Sequence, residues 1–271
     1  MVDMKSNVLI IAGMHRSGTS LMAQWLNKCG LNLGDYLLGS GVGNSKGHFE
    51  DMDFYQLHEA ILSQNSLNYR VNTNDEIQLS EYHKIRAESI ITLKSKLHDQ
   101  WGWKEPRTCL FLNSIYKELL PQAKYIILYR RYDQVVDSLY RREIALTKKK
   151  LLLFSGYFEV LKKNLIKKKI YSNYLETWIR YNLDIISFTK EIKKENFIIV
   201  NSNDINDNEN NILYYLINWG FDISKYSLKN IYSQKEFNTK NVEIRLSPNK
   251  KEDIEYIYNF FETNNRNIKF L

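Results

Sequence analysis

The chain has 271 residues, 44% of them hydrophobic, with a formal net charge of +7 and a sequence pI near 9.1. This length and apolar content suit one large α/β domain, and two cysteines, Cys29 and Cys109, exclude a disulfide-rich scaffold. A basic surface favours anionic partners, but the charge alone does not choose among nucleotides, nucleic acid, acidic glycans and membrane headgroups. We expect both cysteines to be buried free thiols.

The domain organisation is expected to be simple. No Pro/Gly/Ser linker divides the sequence, which favours a single domain over residues 1–271. The first residues lack the basic, apolar and small-residue pattern of a secretory signal, and no apolar run is long enough to span a bilayer. We therefore expect a cytoplasmic protein.

An apolar run at residues 8–12, VLIIA, predicts a buried β-strand that ends at Gly13. The residues MHRSGTS follow, and apolar residues then recur at helical spacing in LMAQWL. A strand, a glycine-containing turn and a helix start direct several backbone N–H groups at one point, with the positive end of the helix dipole behind them. The segment therefore predicts an anion site suited to phosphate.

The glycine spacing of this segment, Gly13-x-x-x-x-Gly18-Thr19-Ser20, nearly matches the P-loop pattern G-x-x-x-x-G-K-[ST]. Thr19 replaces the lysine that reaches the β- and γ-phosphates, and a cation stands earlier, at Arg16. A magnesium–nucleoside triphosphate is therefore a poor fit. A phosphate or sulfate ester held by backbone amides, two hydroxyls and one arginine fits better, and an ordinary turn without a ligand is the alternative.

The segment GMHRSGTSLMAQWL resembles the 5′-phosphosulfate loop of the sulfotransferases that use 3′-phosphoadenosine-5′-phosphosulfate (PAPS), which commonly reads P-[KR]-[ST]-G-[ST]-[ST]. His15 stands where proline is usual, a variant that we associate with bacterial and carbohydrate-directed branches. The resemblance implies a P-loop-like three-layer α/β fold, in which helices flank a mainly parallel central sheet. It also implies that the loop binds PAPS through Arg16, Ser17, Gly18, Thr19 and Ser20.

Residues 30–47 contain six glycines and predict a mobile loop, after which HFED at residues 48–51 leads into a predicted helix. The pattern N-x-x-G-[HYF]-F-E-D resembles a segment of carbohydrate-type bacterial sulfotransferases, in the region where their acceptor-facing carboxylate tends to lie. The resemblance implies that Glu50 is the general base. His48 is the second choice, because an imidazole needs no pKa adjustment to act near neutral pH. A charge that stabilises the helix N-terminus is the alternative role for Glu50.

Residues 80–99 predict a helix whose apolar side contains Ile85, Ile90, Ile91, Leu93 and Leu97. The sequence WGWKEPR follows at residues 101–107, and residues 109–120 predict another helix. WKEPR resembles the K-[DE]-P motif of several sulfotransferase branches, including the tyrosylprotein sulfotransferases, in which the lysine faces the bridging oxygen of the donor. The resemblance implies a catalytic role for Lys104, and a surface lysine beside a turn is the alternative.

Residues 125–129, YIILY, predict a second strand that ends in two arginines and precedes a helix. PAPS enzymes carry an arginine at the end of such a strand and a serine eight positions later, and both bind the 3′-phosphate. Arg130 and Ser138 have this spacing, although Tyr132 stands where the family's R-[ND]-P motif has proline. A P-loop NTPase needs an acidic magnesium ligand after an inner strand, whereas this strand ends in cations.

The second half of the chain resembles the family only loosely. A lysine-rich helical insert is expected at about residues 145–170, where residues 148–169 could cover the acceptor site, contact acidic lipid or glycan as a peripheral membrane surface, or form a solvated helical pair. Further predicted elements are a helix at 171–189, a strand at 197–200, and helices at 212–219 and 250–262. In the family the region of residues 233–240 folds over the cofactor, which makes Ser233, Lys235 and Lys240 weak candidates for nucleotide contacts.

Taken together, the resemblance implies a PAPS-dependent sulfotransferase with a hydroxyl-bearing acceptor, such as a glycan or another small acceptor, and with no metal and no nucleic-acid partner. Arg16 would stabilise the sulfuryl oxygens and Lys104 the bridging oxygen, while Glu50 takes the acceptor proton in an in-line displacement. One alternative is a diverged P-loop nucleotide kinase or NTPase. The other is a non-catalytic protein that binds anions or a membrane surface.

Overall fold

The computed structural model describes residues 6–39, 47–151, 160–231, 244 and 246–265, without the side chains at 148–151 and 160–166. Within these ranges four strands form one parallel sheet with the order β2-β1-β3-β4. The strands are β1 Asn7–Ala12, β2 Gln100–Lys104, β3 Lys124–Tyr129 and β4 Phe197–Asn201. The expected parallel sheet is confirmed.

The helices of the described ranges connect and flank these strands. The α-helices are α1 Thr19–Lys28, α2 Met52–Gln64, α3 Glu81–Leu97, α4 Lys117–Leu119, α5 Tyr132–Leu151, α6 Val160–Glu191, α7 Glu209–Asn218 and α8 Pro248–Asn265. Short 3₁₀ segments span Pro106–Phe111, Lys194–Asn196, Ser202–Asp204 and Leu228–Asn230, and Leu112–Tyr116 forms a π-helix.

Both faces of the sheet are covered, which is why the strands read as continuous apolar runs. Successive strand residues point to opposite faces, and along β1 Val8 and Ile10 enter one hydrophobic cluster while Leu9 and Ile11 enter the other. The first cluster contains residues of α2, α5, α6 and α8, and the second contains residues of α1 and α7. The three-layer arrangement predicted from the loop resemblance is confirmed.

The strand order places a topological switch point between β1 and β3. From β1 the chain crosses to β2 on one side, and it then returns to β3 on the other side of β1. In open parallel sheets, ligands bind in the crevice outside the carboxyl ends of the strands at such a point. The segments that follow β1 and β3 begin at Gly13 and Arg130, and the fold therefore brings the two predicted anion-binding segments to one crevice.

Strand β2 was not predicted, because the glycine at its centre interrupts the apolar run. Trp101 and Trp103 are buried on one side of it, whereas Gly102 faces the backbone of β1. A Cβ atom at Gly102 would lie 2.3 Å from the carbonyl oxygen of Leu9. Glycine is therefore required here by the close approach of two backbones and not by a turn.

The helix predicted at residues 109–120 is irregular and begins earlier, as a 3₁₀ turn, a π-helix and one short α-helical turn in succession. All six residues of Pro106–Phe111 are buried, so this segment has no solvent-facing side of the kind that an amphipathic helix presents. Its geometry is set by packing, and Cys109 Sγ accepts a hydrogen bond from the Gly13 backbone N–H at 3.2 Å.

Helix α3 lies where it was predicted, but its predicted apolar side is partly wrong. Ile85, Leu93 and Leu97 are exposed by 54%, 59% and 61%. The buried residues of the helix are His83, Ala87, Ile91 and Lys94.

The buried face of α3 includes a lysine because three carboxylates surround its ammonium group. Lys94 Nζ lies 3.1, 2.9 and 3.0 Å from carboxylate oxygens of Asp35, Asp51 and Asp53. Although burial opposes the charged form, hydrogen bonds with Asp51 and its neighbours raise the pKa of Lys94. The cluster ties the segment before α2 to α3.

The second half of the chain largely follows the predicted elements. Helix α6 includes the predicted helix at 171–189, β4 includes the predicted strand, and α7 ends before Gly220, which has φ +84°. In the lysine-rich region α5 extends to Leu151 and α6 begins at Val160. The side chains at 148–166 lie outside the description, and contact of this region with lipid or glycan stays a prediction. None of the helices in the described ranges is both long and apolar enough for a bilayer crossing.

We expect Gly102→Ala to destabilise the protein by about 1–3 kcal/mol, because the added methyl group overpacks the junction of β1 and β2. Gly39→Ala is the matched control, since a Cβ atom there meets nothing within 4 Å. The measurement is the free energy of unfolding from urea denaturation of both variants. Equal stabilities would show that β2 does not pack against β1 as described.

Candidate active site

The loop after β1 has the backbone conformation of an anion cradle. Arg16 and Gly18 both have positive φ angles, +69° and +83°. Gly18 is the N-cap of α1 and offers no side chain to cap the helix, which leaves the first-turn N–H groups directed out of the helix end. A Cβ atom at Gly13 would lie 2.6 Å from the Leu128 carbonyl oxygen, so the loop starts tight against β3. The positive end of the α1 dipole therefore lies at this loop, and anion binding there stays a prediction.

Arg130 follows β3 and is 6% exposed. Its Nη1 donates a hydrogen bond to the backbone oxygen of Arg16 at 3.1 Å, and its Nε donates to Gln134 Oε1 at 3.0 Å. The indole N–H of Trp178 donates to the Arg130 carbonyl at 3.0 Å. The second arginine is thus fixed directly against the loop that carries the first.

Ser138 connects the two halves of the predicted nucleotide site. Arg16 Nε donates a hydrogen bond to Ser138 Oγ at 2.9 Å, from the loop after β1 to the second turn of α5. Since Arg130 also contacts Arg16, the three residues form one hydrogen-bonded group. The two guanidinium groups therefore belong to the same crevice, as one bridging nucleotide requires.

Lys104 enters the crevice from the carboxyl end of β2 and is fully buried. Its Nζ donates to Glu50 Oε1 at 3.1 Å and to Ser20 Oγ at 3.3 Å. Ser20 Oγ in turn donates to the His48 backbone oxygen at 3.0 Å. The structure therefore joins the loop, the K-E-P segment and the H-F-E-D segment, which are far apart in the sequence.

The electrostatics of the crevice favour an anion. Burial, followed by the nearby charges of Arg142 and Arg141, lowers the pKa of Arg16 to about 10. Burial also lowers the pKa of Lys104, although Glu50 opposes this shift. Both shifts mean that burial makes the positive charge costly in the crevice, so a bound oxyanion would stabilise it.

The two histidines near the loop are neutral at pH 7. Burial is the main cause that lowers the pKa of His48. Burial lowers the pKa of His15 more strongly, and the charge of Arg107 adds to that shift. His15 packs its ring edge against Tyr69 at 4.9 Å between centroids and has a buried Nε2 without a hydrogen-bond partner. The position at which the family usually has proline is thus filled here by a buried imidazole.

A buried charged group behind Lys104 was missed by the sequence analysis. Glu105 is fully buried and pairs with Arg107 and with His58 Nδ1, the latter at 2.5 Å, while His58 Nε2 lies 2.6 Å from Tyr116 Oη. Burial would favour the neutral acid, but the Arg107 charge and the His58 hydrogen bond hold the pKa of Glu105 low. The acidic residue of the K-E-P motif therefore anchors the backbone that presents Lys104. The signal available in the sequence was a carboxylate directly after Lys104 and two residues before Arg107.

Ser202 was also missed. It lies directly after β4 and connects the end of that strand to the site. Its Oγ lies 2.6 Å from the Ser17 carbonyl oxygen and 2.8 Å from the Tyr129 carbonyl oxygen. Ser17 itself is buried. Ser202 thus connects the loop after β1 with the end of β3. Its place directly after an apolar strand was the signal that could have indicated it.

The remaining site predictions have different outcomes. Thr19 is buried at the start of α1, beside Gly13. Lys235, with Ser233 and Lys240, lies outside the described residues.

Cys29 and Cys109 are buried free thiols, as expected. In the part of the chain that the structure describes, no group of three or more His, Cys, Asp and Glu side chains is arranged to hold a metal ion.

Comparison with known proteins gives a result at the level of structure alone. No protein-family model matches the chain, and no curated protein matches its sequence. The sulfotransferase domain from the curacin biosynthetic pathway is similar in structure, with a TM-score of 0.52 and 14% identity over 95% of this chain and 98% of that one. Sulfotransferase STF9 from Mycobacterium avium is similar with a TM-score of 0.55 and 11% identity, over 95% of this chain and 76% of that one. The chain therefore has the fold of these sulfotransferases.

Proposed function

We propose that the protein transfers a sulfuryl group from PAPS to a hydroxyl group of a glycan or another small acceptor. One observation carries the proposal. The loop after β1 is bonded on one side to Arg130 and Ser138, and on the other side to Lys104 and, through that lysine, to Glu50. The same loop thus lies between the residues that we propose for the nucleotide and a lysine–carboxylate pair. Sulfuryl transfer needs both.

The chemistry of the side chains fits the donor. PAPS carries an anionic group at each end of its ribose, and the loop and Arg130 offer cations and hydroxyls at two neighbouring strand ends. The guanidinium of Arg130 supplies a planar fork suited to the 3′-phosphate dianion. Arg16 and the N-terminus of α1 suit the 5′-phosphate and the sulfuryl oxygens. The lowered pKa of Arg16 supports this assignment, because burial, and after it the charges of Arg142 and Arg141, disfavours the cation, and a bound anion would offset both.

The reaction we propose is an in-line displacement at sulfur. The acceptor oxygen forms a bond to sulfur, the bond between sulfur and the bridging oxygen of the 5′-phosphate breaks, and adenosine 3′,5′-bisphosphate leaves with that electron pair. The hydroxyl proton passes to Glu50, and the other product is a sulfate ester. Lys104 stabilises the charge that develops on the bridging oxygen, and Arg16 stabilises the sulfuryl oxygens.

Glu50 is the proposed base because it is a buried carboxylate that reaches the loop through one lysine. Its contact with Lys104 is made at 3.1 Å, and the same ammonium contacts Ser20 of the loop. The helix-charge alternative fits less well, since Asp51 rather than Glu50 caps α2 by accepting hydrogen bonds from the N–H groups of Asp53 and Phe54. His48 stays the second choice, and burial keeps its imidazole in the neutral form that a base requires.

A diverged P-loop kinase or NTPase is supported less well. In a P-loop the hydroxyl after the lysine binds Mg²⁺, and Ser20 holds that position here. The Lys104 ammonium lies 3.3 Å from Ser20 Oγ, where it disfavours a divalent cation by charge repulsion. A lysine from a neighbouring strand in this place suits a donor that reacts without metal.

The nucleotide assignment is tested by calorimetric titration. We expect adenosine 3′,5′-bisphosphate to bind without metal and more tightly than ATP with Mg²⁺. Arg130→Ala should weaken the bisphosphate by about tenfold to hundredfold through loss of a charge-assisted hydrogen-bonded pair, and should weaken adenosine 5′-monophosphate much less. Arg131→Ala is the matched control, because that side chain is 48% exposed and pairs with Asp133.

Two outcomes of this titration would contradict the proposal. Binding of magnesium–ATP alone would favour the NTPase alternative. Equal losses for both adenosine nucleotides in Arg130→Ala would remove the assigned contact with the 3′-phosphate.

The base is tested by Glu50→Gln. We expect turnover with PAPS to fall by about 10²- to 10⁴-fold, because a positioned base contributes that much, while the affinity for adenosine 3′,5′-bisphosphate is retained. Glu59→Gln is the control, since Glu59 pairs with Arg107 but is 41% exposed at its side chain. Sulfate-ester formation is measured by mass spectrometry. If Glu50→Gln keeps its turnover, the base lies elsewhere and His48→Gln is the next variant.

A further inference from the structure

Helix α3 presents a row of large apolar side chains to solvent. Each of them is more than half exposed, and their spacing places them on one side of the helix, which we call the outer face of α3. The members are Tyr82, Ile85, Leu93 and Leu97. No other helix in the described ranges has more than two large apolar side chains with this exposure. An apolar face of this kind on a folded protein marks an interaction surface.

The middle of the outer face is suited to burial, although a polar residue stands there. Ser89 lies four residues after Ile85 and four before Leu93. Its Oγ donates a hydrogen bond to the Ile85 carbonyl oxygen at 2.8 Å. The hydroxyl is therefore already paired, and covering it leaves no unsatisfied donor. Because the side chain is small, a second helix can approach closely at this point.

The charges beside the outer face have opposite signs at its two ends. Glu81 is exposed in the first turn of α3, and Lys96 is exposed in the last turn. This arrangement complements itself in an antiparallel pair of α3 helices centred on Ser89. In that register Ile85 of one copy lies opposite Leu93 of the other, and Glu81 comes next to Lys96. The two helix dipoles are then also antiparallel, which avoids repulsion between like ends.

We propose that the outer face of α3 joins two copies of this chain, with their α3 helices antiparallel about a two-fold axis at Ser89. A two-fold contact uses the same patch on both copies, so it requires a face that complements itself in this way. Each apolar and charged pair then occurs twice. The inference goes beyond the proposed function and does not rest on it.

A membrane surface fits the outer face less well. A helix that lies on acidic lipid carries lysine and arginine on its polar side, so that cations border the apolar face. In α3 the exposed carboxylates of Glu81 and Glu88 stand among the lysines and the arginine of the helix. These carboxylates would be repelled by acidic lipid, whereas a second copy of α3 offers Lys96 to Glu81.

A neighbouring loop enlarges the contact. The Asp35 carboxylate contacts Lys94 at 3.1 Å and His98 at 2.8 Å, at the C-terminal end of α3. Tyr36, which is 73% exposed, therefore lies beside that end of the helix. A helix of this length is about 25 Å long and about 10 Å wide, so its face with Tyr36 supplies less than the roughly 800 Å² per partner of a standard interface. We therefore expect a dimer with a micromolar dissociation constant.

The test is sedimentation equilibrium of the full chain from micromolar to submillimolar concentrations. We expect a monomer–dimer equilibrium, and Leu93→Glu should weaken the dimer by about thirtyfold or more, because it places a charge opposite Ile85 at both ends of the contact. Ile217→Glu is the matched control and should leave the dimer unchanged. Ile217 is a similarly exposed apolar residue, but it lies on α7. Circular dichroism checks that each variant is folded.

A charge exchange tests the antiparallel register. Glu81→Lys should weaken the dimer by about tenfold, because two attractive pairs become repulsive. The double variant Glu81→Lys with Lys96→Glu should recover the wild-type affinity. In a parallel pair each residue would meet its own copy, so the same exchange would restore nothing.

Four results would overturn the inference. The chain could stay monomeric at every concentration, the dimer could survive Leu93→Glu, Ile217→Glu could weaken it equally, or the double charge exchange could fail to recover it. If the monomer bound vesicles of phosphatidylserine and phosphatidylcholine and Leu93→Glu abolished this binding, the outer face would instead belong to a membrane contact. None of these results changes the expected binding of adenosine 3′,5′-bisphosphate, so the proposed function is tested separately.

Discussion

The constraint on which the site depends is the burial of several cations at one edge of the sheet. Arg16, Arg130 and Lys104 are drawn from three strand ends, and the last two are almost completely buried. Buried charge is expensive unless it is paired or hydrogen-bonded. Here a serine hydroxyl, a backbone carbonyl and a glutamine amide hold the arginines, and Glu50 holds the lysine. These partners keep the cations in place for an anion that would offset their cost.

The fold creates this concentration of charge through its connectivity. All four strands are parallel, so the residues that follow each strand meet at the same edge, although they are far apart in the sequence. Gly13 and Gly102 allow the close backbone approaches on either side of β1, because a Cβ atom at either would meet a neighbouring carbonyl oxygen within 2.6 Å. The core on both faces then fixes the strand ends, and the loop that carries Arg16 is held between β3 and β4 by Ser202.

The candidate site could be predicted from the sequence where its residues lie close together along the chain. The loop after β1 and the Arg130–Ser138 pair each follow an apolar strand, and hydrogen bonds join them at one crevice, while their binding of a nucleotide stays a prediction. Glu105 and β2 were missed for the opposite reason. Their roles depend on distant partners, since Glu105 needs His58 and β2 needs a backbone neighbour at Gly102. Lys94 is similar, because a lysine on a buried helix face makes sense only once its three aspartates are known.

The Lys104–Glu50 pair connects the two halves of the proposed chemistry. One ammonium contacts both the loop hydroxyl of Ser20 and the carboxylate that we propose as the base. The ammonium has three N–H donors, and Glu50 and Ser20 take two of them. The third can meet the bridging oxygen of the proposed donor while the contact with Glu50 is kept. One buried side chain would thus position both the leaving oxygen and the base.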